Sequence, residues 1–204
     1  MRETPLNLVI EDDISLEVAR KIVLNTNNNF YIDRVLPDTS RKKSERGSGY
    51  IKKKIQAFNN AAAYSNFLII TDLDQNECAP VFINDLLENN RRQGLFLRIA
   101  VREIESWIIA DRKNFSAYFS VSEDNISKNP ESIIDPKEYI FQLAKRSRSR
   151  NIREGIPPSD ATARLGPDYN EILIRFVHER WNFQEALQNS DSLRRFVLQF
   201  DNKN

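Results

Sequence analysis

Phe67-Leu68-Ile69-Ile70-Thr71-Asp72-Leu73-Asp74 is the stretch on which the fold depends. Four apolar residues that stop at a pair of acids are too few for a buried helix. They fit a short strand covered on both faces. Working outward, Leu6 to Ile10, Phe30 to Leu36 and Leu95 to Val101 read as three further strands. Helical spacing fills the intervals. Ile14, Val18, Ala19, Ile22 and Val23 share one face, and Ile51, Ile55, Phe58 and Ala62 share another. Ala79 to Asn89 and Glu103 to Asp111 also read as helices. This alternation predicts an α/β domain over residues 1–112 with a mainly parallel sheet. Beyond it the pattern changes. Phe115 to Pro136 reads as polar and loop-like with a short helical turn, and Ser147 to Asp160 as an exposed linker. Tyr139 to Arg146, Asp168 to Trp181 and Asp191 to Phe200 keep helical spacing, so 113–204 is expected to be a helical extension packed on the α/β domain.

Composition excludes several classes. A single Cys leaves no disulfide framework and no Cys-based zinc knuckle, and a single His leaves no multi-histidine metal site. Thirty basic residues against 29 acidic ones exclude a globally basic nucleic-acid coat protein. The balance is uneven along the chain, however. Arg41, Lys42, Lys43, Arg46, Lys52, Lys53 and Lys54 crowd one segment with Glu45 as its one acid. Lys137, Lys145, Arg146, Arg148, Arg150 and Arg153 crowd a second. Two basic segments therefore sit on an acidic body. No apolar run approaches the ~20 residues of a membrane span, and Met1-Arg2-Glu3-Thr4-Pro5 lacks a signal-peptide core. A cytoplasmic protein without a membrane partner is the expectation.

The acids fall at the ends of the strands. Glu11, Asp12 and Asp13 follow the first, Asp72 and Asp74 the third, and Glu103 and Glu105 the fourth. In an open parallel sheet the strand C-termini share one edge, where ligands bind. Crowded carboxylates repel unless a cation joins them. Oxygen-only donors suit Mg²⁺ or Mn²⁺, ions that polarise phosphoryl oxygens and activate water. The competing explanation is capping, since acids ahead of a helix satisfy its first N–H groups and complement its dipole.

Glu11 after an apolar strand, followed later by Asp72-Leu73-Asp74, resembles the TOPRIM arrangement of topoisomerases, primases and overcoming-lysogenization-defect nucleases. Tyr50-Ile-Lys-Lys-Lys-Ile55, Thr71 to Pro80, Ala100-Val-Arg-Glu-Ile-Glu-Ser-Trp-Ile-Ile-Ala-Asp111, Arg164 to Asn170 and Ser192 to Arg195 are similar to a bacterial family of small TOPRIM-like proteins, a domain of unknown function. The resemblance implies a TOPRIM-like, Rossmann-type parallel sheet flanked by helices. It implies Glu11 as the catalytic acid/base and Asp72 and Asp74 as metal ligands, with Glu105 completing the metal set through the family's Glu-x-Trp pattern. Asp12, Asp13, Glu103 and Asp111 would support them. It also implies an ATPase partner and a place in bacterial defence. Asp12 stands where TOPRIM enzymes usually have Gly.

The expected function is Mg²⁺- or Mn²⁺-dependent hydrolysis of nucleic-acid phosphodiesters. Lys52, Lys53, Lys54, Arg148, Arg150 and Arg153 would hold the backbone of the DNA or RNA. The alternative is a non-enzymatic sensor or adaptor that binds a metal or a partner through the same acidic edge. A phospho-receiver reading with Asp72 as acceptor fits less well, because Arg102 stands where such a domain keeps a Lys. Trp107 is expected in the core, four residues after Glu103 on one helical face.

Overall fold

The computed structural model describes residues 3–38, 47–88, 90–160 and 162–201. The chain forms two compact units. The first comprises residues 1–101 together with 195–204, and the second residues 102–194. The division thus falls at Val101/Arg102 rather than after residue 112, and the chain's last segment returns to the first unit.

The first unit is an α/β, Rossmann-like fold. Its strands are β1 (Thr4–Val9), β2 (Phe30–Leu36), β3 (Asn66–Asp72) and β4 (Leu95–Ala100). They lie in the order β2-β1-β3-β4, and every pairing is parallel. The crossovers contain α1 (Asp13–Asn25), α2 (Ser48–Ala61) and α3 (Ala79–Leu87), as parallel neighbours require. β3 is central and buried from Phe67 to Asp72, so its sequence shows no polar alternation. β2 lies at an edge and exposes Tyr31, Asp33 and Arg34, charges that discourage pairing with another sheet. Period-two alternation sorts the core. Phe67 and Ile69 of β3, with Leu95, Leu97 and Ile99 of β4, pack with Ile51, Ile55 and Phe58 of α2 and Phe82 of α3. Phe96, on the other face of β4, meets Phe30 and Phe200 at ring-centre distances of 5.5 and 5.7 Å. Phe200 belongs to α10 (Asp191–Asp201), whose second half lies in this unit.

The second unit is helical. It holds α4 (Ile104–Ile109), α5 (Arg112–Phe119), α6 (Pro136–Lys145), α7 (Arg150–Gly155), α8 (Tyr169–Glu179) and α9 (Phe183–Ala186), and the first turn of α10. α4 is buried along its whole length. Trp107 is fully buried, as the helical spacing predicts, and its indole N–H donates to Ser192 Oγ at 2.7 Å. Phe115 and Phe119 stack at 4.1 Å within α5, and Phe115 meets Phe176 of α8.

Two sequence expectations are corrected here. Phe115 to Pro136 does not begin as polar loop, because Phe115 and Phe119 are core residues of a helix started by the Asp111 cap. Ser147 to Asp160 is not an exposed linker. Ser147 is buried and donates to the Phe119 carbonyl at 2.6 Å, and α7 buries Ile152. Gly166 closes over this segment. A Cβ there would stand 2.3 to 2.5 Å from the carbonyl oxygens of Gly155, Ile156 and Pro157, so only glycine permits the approach. Among the described residues no helix is long and apolar enough to cross a membrane.

Candidate functional site at the carboxyl edge of the sheet

The end of β1 delivers Glu11 to the end of its neighbour β3. The Thr71 hydroxyl donates to Glu11 Oε1, and the Asp72 backbone N–H donates to the same oxygen at 3.2 Å. Adjacent parallel strands thus join two of the sequence-predicted positions, Glu11 and Asp72, through one carboxylate oxygen. Burial pushes the Glu11 carboxyl above its ordinary pKa. The Thr71 hydroxyl and the Asp72 N–H oppose that rise by stabilising the anion, while the charges of Asp74 and Asp12 add to it. Both hydrogen bonds fall on Oε1, and Oε2 has no hydrogen-bond donor among the described residues.

Asp72 closes β3 and is only 8% exposed. Leu73 follows it into the core, and its N–H bonds the Ala100 carbonyl at 2.9 Å, extending the β3–β4 ladder by one residue. Asp74 then adopts φ +51°, a left-handed conformation that Asp tolerates better than most residues. The Asn76 side-chain amide and backbone N–H both reach the Leu73 carbonyl, at 2.6 and 3.1 Å. The Asp-x-Asp segment is therefore a fixed turn whose middle residue is anchored in the core.

The supporting acids have local tasks. Asp12 caps α1, accepting from the Ser15 N–H at 2.8 Å, and Asp13 sits in the first turn of that helix. Asp111 is 1% exposed and caps α5. Its oxygens accept from Asn114 Nδ2 at 2.9 and 3.1 Å and from the Asn182 N–H at 2.7 Å. It is a buried clamp in the second unit, not a surface helix end.

Glu105 and Glu103 also lie in the second unit. Glu105 is fully buried, where Tyr169 donates to its Oε1 at 3.0 Å and Lys137 Nζ stands 3.4 Å from its Oε2. Lys137 also lies 3.0 Å from Glu103 Oε2. An ammonium and a phenol thus occupy the Glu105 carboxylate that the resemblance assigns to a metal. Among the described residues no three His, Cys, Asp or Glu side chains are grouped so as to hold a metal ion.

Of the basic residues, Lys52, Lys53 and Lys54 are exposed on α2, with the Lys52 ammonium 5.3 Å from the Phe82 ring. Arg41, Lys42, Lys43 and Arg46 lie outside the described residues. In the second unit Arg148 is exposed, Arg150 pairs with Glu154 at 2.8 Å, and Arg153 donates to the Ser147 carbonyl at 2.7 Å. The residue that sequence reasoning missed is Thr71. Its one signal was a hydroxyl set between an apolar run and an acid. The chain matches no protein-family model, no curated protein and no solved structure.

Proposed function

We propose that the carboxyl edge of the sheet in the first unit holds Mg²⁺ or Mn²⁺ and hydrolyses phosphodiester bonds of nucleic acid, as the TOPRIM resemblance implies. The observation that carries this reading is the reach of Glu11 from β1 to Thr71 and Asp72 at the end of β3. The donor chemistry fits, because every acid there is an oxygen ligand. Mg²⁺ commonly takes one or two carboxylates and fills its remaining positions with water and substrate phosphate. Asp72 and Asp74 would hold the ion on that basis, without Glu105. A bound divalent ion supplies positive charge to a phosphoryl oxygen and acidifies a water.

The chain's own residues do the rest. Thr71 and the Asp72 N–H fix Glu11 through Oε1, so Oε2 exchanges the proton. Its raised pKa brings that exchange closer to neutral pH, where a general base works best. Lys52, Lys53 and Lys54 attract the phosphate backbone to α2. The ATPase partner and the defence setting belong to the same proposal and rest on the resemblance alone.

The adaptor reading has one observation in its favour. Asp12 spends its side chain capping α1 at the position where TOPRIM enzymes usually keep Gly. Incubating plasmid, single-stranded DNA and RNA with the protein and Mn²⁺ separates the two. The nuclease reading expects cleavage of at least one substrate, lowered roughly a hundredfold or more by Glu11→Gln. Intact substrates beside a protein that binds Mn²⁺ leave the adaptor reading standing and remove the nuclease.

A further inference from the structure

The opposite, amino-terminal edge of the same sheet carries a second constellation that the reading above does not use. Two cavities of about 890 and 530 Å³ adjoin there and share Arg92, Gln93 and Phe96. The larger is lined by the starts of the strands and by the turn after α2, with Asn29, Asn66 and Tyr64 among its residues. Tyr64 is 94% exposed. The smaller is lined by Arg91, Arg92 and Arg98, and by Gln199 of α10. Neither lining includes an Asp or Glu among the described residues.

Arg98 is the unusual member. It projects from the middle of β4, where Nη1 donates to the Leu97 carbonyl at 2.8 Å and Nη2 to Gln199 Oε1 at 2.7 Å. Its Nε is buried and has no hydrogen-bond partner among the described residues. Burial, with the charge of Arg91 nearby, lowers its pKa to about 10. The guanidinium is half-buried and lies 5.8 Å from the Phe196 ring centre. Beside like charge and with one donor unanswered, it has no anionic acceptor among the described residues.

The loop that carries the other two arginines is held firmly. Asn59 is 2% exposed and uses both ends of its amide on that loop, donating to the Asn90 carbonyl at 2.7 Å and accepting from the Arg92 N–H at 2.9 Å. At Gly94 a Cβ would stand 2.5 Å from the Ala62 carbonyl oxygen, so the loop lies directly on the end of α2. The carbonyl end of that helix explains one cation near Ala62. It does not explain Arg98, which comes from a strand.

Arginine forks match phosphate oxygens, and an aromatic face ringed by amides matches a nucleobase. We propose that this pocket binds a nucleotide, with its phosphate on Arg91, Arg92 and Arg98 and its base in the cleft beside Tyr64. The same chemistry comes from a free mononucleotide or from the phosphorylated end of a strand.

The test is a calorimetric titration of the full chain with AMP, GMP, CMP and UMP, inorganic phosphate, adenosine, and a 5′-phosphorylated tetranucleotide. At least one nucleotide is expected to bind tenfold or more tightly than phosphate or adenosine. Arg91→Ser/Arg92→Ser, an exposed pair that leaves Asn59 and its backbone partners in place, should weaken it about tenfold or more. Tyr64→Ser should weaken the nucleotide and leave phosphate unchanged. Tighter binding of the tetranucleotide than of any mononucleotide assigns the pocket to a strand end, and the reverse assigns it to a free nucleotide. Binding that survives Arg91→Ser/Arg92→Ser, equal affinity for phosphate and every nucleotide, or no binding at all overturns the proposal. None of these outcomes depends on the carboxyl edge of the sheet.

Discussion

At the scale of single residues, Glu11 and Glu105 are two acids with different solutions to burial. Glu11 is partly buried near Asp74 and Asp12, and its raised pKa makes ionisation costly to the fold. The unfolded chain ionises Glu at its ordinary pKa, below the folded value. The stability that Glu11 contributes is therefore present below that ordinary pKa and is lost as pH rises through the folded one. Glu11→Gln, which keeps an acceptor for Thr71 and for the Asp72 N–H, should raise the melting temperature at pH 8. The gain should shrink to nothing near pH 4, and a gain independent of pH would contradict the account. Glu105 instead has Lys137 beside it. Lys137→Met should cost about 3 kcal/mol in urea unfolding, because it strands a buried carboxylate. Adding Glu105→Gln should recover most of that loss, since a neutral amide still pairs with Tyr169. Full additivity of the two changes would count against the pairing.

At the scale of elements, the acids at the strand ends have divided between caps and site. Asp12 caps α1, so Asp12→Ala should cost about 1 kcal/mol of stability while leaving divalent-ion binding in place. Loss of Mn²⁺ affinity at unchanged stability would move Asp12 from the cap to the site. The four strands and the helices between them were legible because burial patterns differ by element. β3 is apolar on both faces, while α1 and α2 each bury one stripe. α7 was not legible. Its arginines and the serines just before it resemble a linker, and only Ile152, Ile156 and the contact of Gly166 with the carbonyls of Gly155, Ile156 and Pro157 show that the segment is packed. α5 was hidden in the same way, because Phe115 and Phe119 make a narrow stripe on a polar helix.

At the scale of the whole molecule, near-zero net charge conceals local fields. Lys52, Lys53 and Lys54 present three exposed ammonium groups on one turn of α2. Replacing all three by Ser should weaken nucleic-acid binding at low salt. The slope of log affinity against log salt should fall by about 2. An unchanged slope would take α2 out of the interface. The positions of Glu11, Asp72 and Asp74 on one sheet edge were readable from strand order alone, because parallel strands share a carboxyl edge. The fates of Glu105 and Asp111 were not readable. Each depends on a partner about thirty or more positions away in sequence, Lys137 or Tyr169 for one and Asn182 for the other, and helical spacing carries no trace of such pairings.

The most direct measurement is a calorimetric titration of Mn²⁺ into the protein and into Asp72→Asn/Asp74→Asn, at pH 7.5 and again at pH 5. The account predicts binding to the native chain that weakens at pH 5, as the carboxylates take up protons, and is lost in the double variant. Equal Mn²⁺ affinity in both proteins, or none in either, would contradict a metal site at the carboxyl edge of the sheet.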